Sequence, residues 1–517
     1  MISLAEARNL CPELVLHEQS QAAEIARLQA RIDWFERQVF GASSERRALE
    51  ILDMGQQLWL GLELLPVPVE PPEATTTVKE YERKQRPKPV EIVDKDSQLR
   101  FGPEVPVQVI DVEHPGTKDI PESQRQLVSE DVTYRLAQRS PYTVLKYVTK
   151  VYKNKQTGEF LTPRAPDSVF PGTSADVSFL AGMVVDKFAH HLPLYRQHER
   201  LTQSKVYLSR GTLSRLVHRT LEFLEPVYLA LMSSTLQSKI LAVDETPTPA
   251  IFKKGDGKNK GQMKDGYFWA FYGSGDEVFF LYSPSRSTEV LRRALGGFSG
   301  TLLTDGYVAY ESFASGSKGI LHAQCWSHSR RNFVYAEKVA KKQCEDALLV
   351  IQQLYGVERE AELGSEELRH LREKKSRPIV DALFTYLHKQ VAESIFLPSN
   401  AFLKAAQYMI DRRAELERFL EDPDIPLDTN HVERAIRPTV VGRKNWLFNF
   451  TETGARYSAM AYSLVQSCVL AGVNPTVYLT DVLQRLDTHP ASDIHLLTPR
   501  MWAKHFASSP MTSAATA

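Results

Sequence analysis

Residues 428–448 read DTNHVERAIRPTVVGRKNWLF, which places a single glutamate, Glu433, in a strongly cationic segment of helical character. Four basic residues follow it: Arg434, Arg437, Arg443 and Lys444. Asn430, a candidate N-cap, precedes Glu433 by three residues, which is the spacing of a capping box and gives the glutamate a purely structural interpretation. The stretch alone leaves this structural role and a functional role equally open.

Two segments upstream each end an apolar strand pattern in an aspartate. Residues 239–246 read KILAVDET and carry Asp244, and residues 300–307 read GTLLTDGY and carry Asp305. Strand ends are where α/β sheets usually present reactive groups, although a turn or N-cap role is the commoner explanation for either aspartate alone. The three carboxylates, separated by 61 (305 − 244) and 128 (433 − 305) residues, together favour an oxygen-ligand site for two divalent cations.

Five blocks of the sequence resemble the signature of bacterial DDE transposases of insertion sequence family sixty-six. They are VDETP at 243–247, DGYVAY at 305–310, CWSHSRRNF at 325–333, NHVERAIRPTVVGRKNWLF at 430–448 and SLVQSCVLAGVNPTVYLTDVLQRL at 463–486. The blocks follow the family's order. The resemblance implies a ribonuclease-H-like catalytic domain in which Asp244, Asp305 and Glu433 bind two Mg²⁺ ions, with Mn²⁺ as a substitute.

The resemblance also implies an activity. A transposase of this kind binds the ends of its insertion sequence, cleaves their 3′ ends with water as the first nucleophile, and joins the freed 3′-hydroxyls to target DNA. Two alternatives stay open: a ribonuclease-H-like nuclease that cuts without joining, and a catalytically silent DNA-binding regulator or element remnant. Intact Asp244, Asp305 and Glu433 speak against the remnant. Other element-encoded proteins are left open as further partners.

Composition bounds the class of protein. The 517 residues carry 63 basic and 63 acidic side chains, so only local clustering of charge can indicate nucleic acid. Four scattered cysteines form no disulfide framework, which fits a reducing compartment. We find neither an apolar run of about 18 residues nor a signal-peptide pattern, and we expect a cytoplasmic protein without a membrane partner. The expected fold is multidomain α+β.

The N-terminal region, residues 1–55, predicts a coiled-coil helix. Its a/d seam consists of Ile25, Leu28, Ile32, Phe35 and Val39. The alternative is a helix docked on the protein's own core. We favour a homo-oligomer, at least a dimer, because transposition brings two element ends together. Residues 56–104, rich in proline and glutamate, predict a mobile linker.

Residues 105–172 show β-type alternation and predict a small β-rich module. The chain has no cysteine between Cys11 and Cys325, which excludes a four-cysteine zinc element in this module. We therefore expect no structural zinc.

Residues 173–237 predict a helix-turn-helix domain whose second helix begins after Ser209 and enters the DNA major groove. The residues expected on its outer face are Arg210, Thr212, Arg215 and Arg219. Many helical hairpins share this pattern, so the DNA-binding interpretation depends on the transposase-like region that follows.

The catalytic core is assigned to residues 238–344 and 426–450. A loop containing Lys258 and Lys260 is either a DNA phosphate contact or merely solvated. Arg330 and Arg331 have the same two interpretations. Cys325 and His328 resemble a motif found near DDE active sites, where the histidine orients a phosphate or a carboxylate, and Asn430 is a third auxiliary candidate for the active site. With His322, Cys325 and His328 do not make a closed zinc site.

The remaining chain supplies an insertion and a C-terminal region. Residues 345–425 predict a helical insertion, and the segment 345–428 is acidic, with 17 acids against 11 Lys and Arg, or −6. We therefore expect the DNA-binding face elsewhere. Residues 451–507 predict further helices, and residues 508–517 predict a disordered tail.

Overall fold

The computed structural model describes residues 92–93 and 100–515, except 104, 138–141, 164–167, 252–262, 395 and 450. The predicted coiled coil, most of the predicted linker, and the loop lysines Lys258 and Lys260 lie outside the described residues.

The described strands are β1 Ile92–Val93, β2 Arg100–Phe101, β3 Val107–Val112, β4 Arg125–Ala137, β5 Thr143–Asn154, β6 Phe160–Leu161, β7 Val206–Tyr207, β8 Ile240–Ile251, β9 Met263–Gly273, β10 Glu277–Ser283, β11 Gly300–Thr304 and β12 Ile320–Gln324. The described helices are α1 Val177–Phe188, α2 Leu194–Gln203, α3 Arg210–Phe223, α4 Glu225–Leu236, α5 Thr288–Ala294, α6 Val308–Ser315, α7 Trp326–Ala336, α8 Lys341–Val357, α9 Glu366–Leu371, α10 Arg377–Ala392, α11 Ala401–Ile410, α12 Arg413–Glu417, α13 Asn430–Trp446, α14 Glu452–Leu470, α15 Pro475–Arg485 and α16 Pro499–His505. A π-helical turn, Arg372–Ser376, joins α9 to α10.

The central sheet has the strand order β10-β9-β8-β11-β12. Its first three strands in sequence, β8, β9 and β10, are antiparallel neighbours, whereas β11 runs parallel to both β8 and β12. Helix α5 precedes β11, the strand that leads to Asp305.

Apolar side chains cover both faces of the central sheet. On β8, Ile240 and Ala242 belong to one core cluster, while Leu241 and Val243 belong to another. Successive strand side chains point to opposite faces, so an uninterrupted apolar run is what a strand needs when both faces are covered.

Helix α14 covers the outer edge strand of this sheet. The backbone N–H of Phe280 donates to Oγ of Ser463 at 2.8 Å, and that of Val278 donates to Oγ of Ser467 at 3.2 Å. Both serines are buried. These contacts satisfy backbone donors on β10 that an open edge would leave unpaired.

The predicted β-rich module contains a sheet with the strand order β3-β5-β4, and β6 also pairs with β5. One face buries Ala137, Leu145 and Tyr147 against Ala515 of the C-terminal tail. Ser513 of that tail donates to Oδ1 of Asp176 at 2.5 Å. The tail, which its polar sequence predicts to be disordered, is therefore docked through residue 515, because its small side chains fit this sheet face and a buried aspartate accepts from its serine.

The predicted helix-turn-helix corresponds to α2 and α3, with the short strand β7 in the connection. Oγ of Ser209 accepts from the backbone N–H of Thr212 at 3.0 Å, which confirms the predicted cap of α3. Leu213, Val217 and Leu221 are buried on the opposite side of α3.

The insertion is helical, as predicted, and Arg372 joins its first helices to the segment at its C-terminal end. This side chain is 1% exposed and pairs with Glu358 at 2.6 Å. It also donates to the backbone carbonyls of Phe419, Asp422 and Ile425. Arg372 thereby holds the segment that leads into α13.

Candidate active site

The sheet register brings Asp244 and Asp305 to the same level of adjacent strands. Thr301 on β11 lies beside Ile240 on β8 in a parallel ladder. The offset of 61 residues (301 − 240) is also the offset between the two aspartates (305 − 244). The same register, continued two residues beyond the end of the ladder, would therefore align Asp305 with Asp244. Asp305 follows the last residue of β11, and its carboxylate is close enough to Asp244 on β8 to raise the pKa of Asp244.

Local hydrogen bonds orient each aspartate. Oδ1 of Asp244 accepts from the backbone N–H of Glu245 at 2.8 Å, and Oδ1 of Asp305 accepts from that of Tyr307 at 2.9 Å. The second contact is an Asx turn at the strand end, so the turn role anticipated for Asp305 coexists with its place beside Asp244.

The Asp244 carboxyl lies in a crowded acidic environment. Burial above all, followed by the neighbouring carboxylates of Glu245, Asp305 and Glu433 in that order of effect, raises its pKa to about 8. All three carboxylates of the proposed triad are thus close enough to interact electrostatically.

Contacts between the starts of α7 and α13 bring Glu433 to this edge of the sheet. The backbone N–H of Trp326 donates to the carbonyl of Leu427 at 3.1 Å. Both the backbone N–H and the hydroxyl of Thr429 donate to Sγ of Cys325 at 3.2 Å. Cys325 therefore has a structural role, because its sulfur accepts hydrogen bonds from the turn that starts α13.

The predicted capping box does not form. The N-cap of α13 is Thr429, and Asn430 is the first helical residue. The Asn430 amide donates to Oδ2 of Asp428 at 2.5 Å and its oxygen accepts from the Ser327 hydroxyl at 3.3 Å. Asn430 is committed to these contacts, so it joins α13 to α7 and does not cap α13.

The Glu433 side chain points to α7. Nη2 of Arg331 donates to its Oε1 at 2.9 Å, and Nε2 of His328 lies 3.6 Å from the same oxygen. Burial lowers the pKa of His328, although the Asp305 and Glu433 carboxylates oppose that shift. Nδ1 of His328 is buried and has no hydrogen-bond partner among the described residues.

Glu245 is a site residue that sequence reasoning missed. Its side chain is 1% exposed, pairs with Arg286, and accepts from the Tyr310 hydroxyl. Arg286 lies over the Tyr307 ring, 3.9 Å from its centroid, and the Tyr307 hydroxyl donates to the Arg286 carbonyl at 2.8 Å. This network joins the residue after Asp244 to the turn after Asp305. Its only sequence signal was the second acid in VDET.

The basic residues predicted on α13 differ in exposure. Arg434, Arg437 and Lys444 are exposed, and their spacing gives a basic stripe that starts beside Glu433. Arg443 is partly buried and donates to the Pro247 carbonyl. Arg330 on α7 is exposed.

The predicted DNA-binding residues of α3 lie on its outer side but contact their surroundings. Arg210 lies over the Tyr195 ring at 4.5 Å and Arg219 over the Phe170 ring at 4.3 Å. Arg215 donates to Oγ1 of Thr212 at 3.2 Å. The four residues remain candidates for DNA contact.

The donors of the site suit a divalent cation. Carboxylate oxygens are suitable ligands, and a bound cation would offset both the burial of the Asp244 carboxylate and its repulsion by the neighbouring carboxylates, which together raise its pKa. In the part of the chain that the structure describes, no group of three or more His, Cys, Asp or Glu side chains is arranged to hold a metal ion. The donor chemistry therefore fits, while Glu433 is engaged by Arg331.

Comparison with known families decides the affiliation of the chain. The model described as Transposase IS66 family matches residues 172–457, which is more than half of the sequence and includes Asp244, Asp305 and Glu433. The chain belongs to the IS66 family of transposases. The IS66 C-terminal element matches residues 463–500, and a model described as Transposase C of IS166 homeodomain matches residues 27–92. Membership of this family makes the chain a transposase and DNA its partner.

Three proteins of Sinorhizobium fredii are similar over most of their length. Uncharacterized protein y4qI is 30% identical over 410 residues, 76% of this chain and 74% of the relative. Uncharacterized protein y4jD is 30% identical over 352 residues, 65% and 68% of the two chains. Uncharacterized protein y4hP is 27% identical over 413 residues, 75% and 73%. These names specify no activity.

None of the described helices combines the length and the apolar character needed to cross a bilayer.

Proposed function

We propose that this IS66-family transposase is a DDE enzyme with a ribonuclease-H-like core, which cleaves the 3′ ends of its insertion sequence and joins them to target DNA. The observation that supports the proposal is the parallel register of β8 and β11, whose offset of 61 residues equals that between Asp244 and Asp305, with Asp305 and Glu433 both within electrostatic range of Asp244. Three acidic side chains from separate elements lie close together, although even two ionised carboxylates at such a site repel each other.

In the proposal, Asp244, Asp305 and Glu433 hold two Mg²⁺ or Mn²⁺ ions. When bound, these ions would stabilise charge on the attacking and leaving oxygens of a phosphodiester. The chain's own contribution is position. The Tyr307 N–H fixes the Asp305 carboxylate, and the contacts of Cys325 and Thr429 fix the start of α13.

Cationic groups around the carboxylates would bind the DNA backbone. Arg331 contacts Glu433 in this structure and can contact a phosphate when the carboxylate takes another partner. The exposed Arg434, Arg437 and Lys444 continue along α13 and would hold successive phosphates. Such contacts add affinity without sequence choice, so binding should weaken with salt.

One observation favours a second candidate, a DNA-binding protein without catalysis. Glu433 is paired with Arg331, and the described residues contain no assembled group of metal ligands. We prefer the enzyme because a single surface ion pair is weak and two cations would compete strongly for the carboxylate.

A joining assay separates the candidates. The chain is incubated with a labelled DNA end of its insertion sequence, a supercoiled target plasmid and Mg²⁺. Labelled end covalently joined to plasmid is the expected product. A nick without joining indicates a nuclease, and binding without a nick indicates a regulator or remnant; either result overturns the proposed transposase activity.

A further inference from the structure

Helix α7 leads away from the proposed active site along an exposed face. Arg331 contacts Glu433 at 2.9 Å, and Tyr335 follows one helical turn later on the same side of the helix. Tyr335 is therefore a close neighbour of Arg331, the residue proposed above to contact a DNA phosphate.

The end of α7 exposes apolar side chains that a folded core would normally bury. Tyr335 is 72% exposed, Val339 56% and Val334 38%. We call these three residues the Tyr335 patch. Single exposed apolar residues are ordinary, whereas three of them within six residues beside a functional site point to a ligand.

The charge around the patch identifies the ligand. Residues 326–342 contain five Lys or Arg and one Glu, a net charge of +4 (5 − 1), although the whole chain is neutral. Arg330, Lys338, Lys341 and Lys342 are all exposed. An aromatic ring surrounded by cations suits single-stranded nucleic acid, since bases stack on the ring while the cations contact the phosphates. Protein interfaces are instead depleted in charge at their cores.

We propose that the Tyr335 patch is a nucleobase-stacking subsite for unpaired bases of the DNA strand adjacent to the cleavage position. Tyr335 provides the stacking surface, Val334 and Val339 extend its apolar border, and Arg330 and Lys338 contact the flanking phosphates. The inference rests on the proposed function, because the cleavage site places the DNA strand beside α7.

Fluorescence of 2-aminopurine tests the subsite. The probe is a duplex end of the insertion sequence with three unpaired nucleotides at the cleavage position, one of them 2-aminopurine, in EDTA so that no cleavage intervenes. The native chain should quench the fluorescence by stacking. Tyr335→Ala should remove the quenching and weaken binding of this DNA by roughly 5- to 150-fold, the range for loss of one stacked base. Tyr335→Phe and Tyr335→Trp should retain both.

Two controls define what would overturn the subsite. Phe160→Ala removes another exposed aromatic residue, on β6, and should leave the quenching unchanged. A fully paired end should bind native protein and Tyr335→Ala equally. Unchanged quenching in Tyr335→Ala overturns the proposal, and so does equal weakening on paired DNA. A change in oligomeric state by light scattering for Tyr335→Ala assigns the patch to a protein interface and also overturns it.

The same samples keep the two proposals distinguishable. Addition of Mg²⁺ reports nicking by the native chain. If the quenching depends on Tyr335 but no nick appears, the subsite stands and the catalytic proposal fails. If nicking occurs while the quenching does not depend on Tyr335, the catalytic proposal stands and the subsite fails.

Discussion

The guanidinium of Arg331 and the carboxylate of Glu433 are in contact across 102 residues of sequence, with Nη2 2.9 Å from Oε1. The two side chains are 43% and 34% exposed. The contact joins α7 to α13 and shows how a cation from one helix neutralises an acid of the other. Through the same contact, Arg331 engages the Glu433 carboxylate that is proposed as a metal ligand.

Arg331→Ala should affect DNA binding more than folding. An ion pair this exposed contributes at most about 1 kcal/mol to the free energy of unfolding, which urea denaturation would measure. Loss of one phosphate contact should weaken DNA binding and reduce the slope of log K against log salt by about 0.9. Arg377→Ala, which breaks a similarly exposed pair with Glu373, is the matched control and should leave the slope unchanged. An unaltered slope for Arg331→Ala would contradict its assignment as a phosphate contact.

Glu245→Gln should destabilise the site without removing a proposed ligand. Glutamine still accepts from the Tyr310 hydroxyl but no longer neutralises Arg286, and we expect the free energy of unfolding to fall by about 1–3 kcal/mol. The turn that orients Asp305 should loosen, so nicking should slow while DNA affinity holds. Glu289→Gln breaks the surface contacts with Arg292 and Arg293 and should cost less than about 1 kcal/mol. Equal losses in the two variants would refute a special role for Glu245.

His322 should make stability depend on pH. Burial lowers its pKa to about 4, and its Nε2 lies 2.9 Å from Oγ1 of Thr304, just before Asp305. Between pH 4 and about 6.5, His322 binds a proton in the unfolded chain but not in the folded chain. The free energy of unfolding therefore rises with pH across this window, and this stability is lost as the pH falls. The contribution is on the order of 3 kcal/mol.

Urea denaturation from pH 4 to 7 measures the His322 effect. His322→Gln should flatten this part of the stability profile, while His370→Gln, at an exposed position on α9, should leave the profile intact. Parallel profiles for native protein and His322→Gln would exclude His322 as the source of acid lability.

Arg372→Met should cost more than any surface variant. Removal of the Arg372 guanidinium leaves the Glu358 carboxylate, which is 14% exposed, without its partner. It also leaves three backbone carbonyls without their donor. We expect a loss of about 3–5 kcal/mol in the free energy of unfolding. The double variant with Glu358→Leu should recover part of this loss, because no unpaired charge remains. A double variant less stable than Arg372→Met alone would contradict this account of the buried pair.

The parts of the site that follow strand patterns could be predicted from sequence. Apolar runs before Asp244 and Asp305 indicate two strands, and β11 ends just before Asp305 as predicted. The prediction that a strand also ends at Asp244 is wrong, because β8 pairs with β9 as far as Ile251 and Asp244 lies inside the strand. The pairing register itself was not predictable, since it depends on which residues of the two runs face each other. The structure supplies it as the constant offset of 61 between Ile240 and Thr301 (301 − 240).

Long-range side-chain contacts were the least predictable features. The capping-box spacing of Asn430 and Glu433 favours a local contact, yet helix α7 offers each a partner that the local sequence does not reveal. Likewise, polar composition around Ser513 predicts disorder, and only the buried Asp176, 337 residues away, explains why the tail is docked. Sequence patterns predict elements well because elements are local; tertiary partners override them where burial is involved.

Single-turnover nicking of a labelled element end tests the central claim most directly. Native protein is compared with Asp244→Asn, Asp305→Asn and Glu433→Gln in Mg²⁺ or Mn²⁺ at DNA concentrations that saturate binding, with Glu289→Gln as a surface control and EDTA as the metal-free control. The account predicts that each of the three variants binds the end but nicks it about 100-fold more slowly or worse, while Glu289→Gln matches the native rate and EDTA abolishes nicking. Nicking by all three variants at the native rate would show that these carboxylates are not the catalytic site.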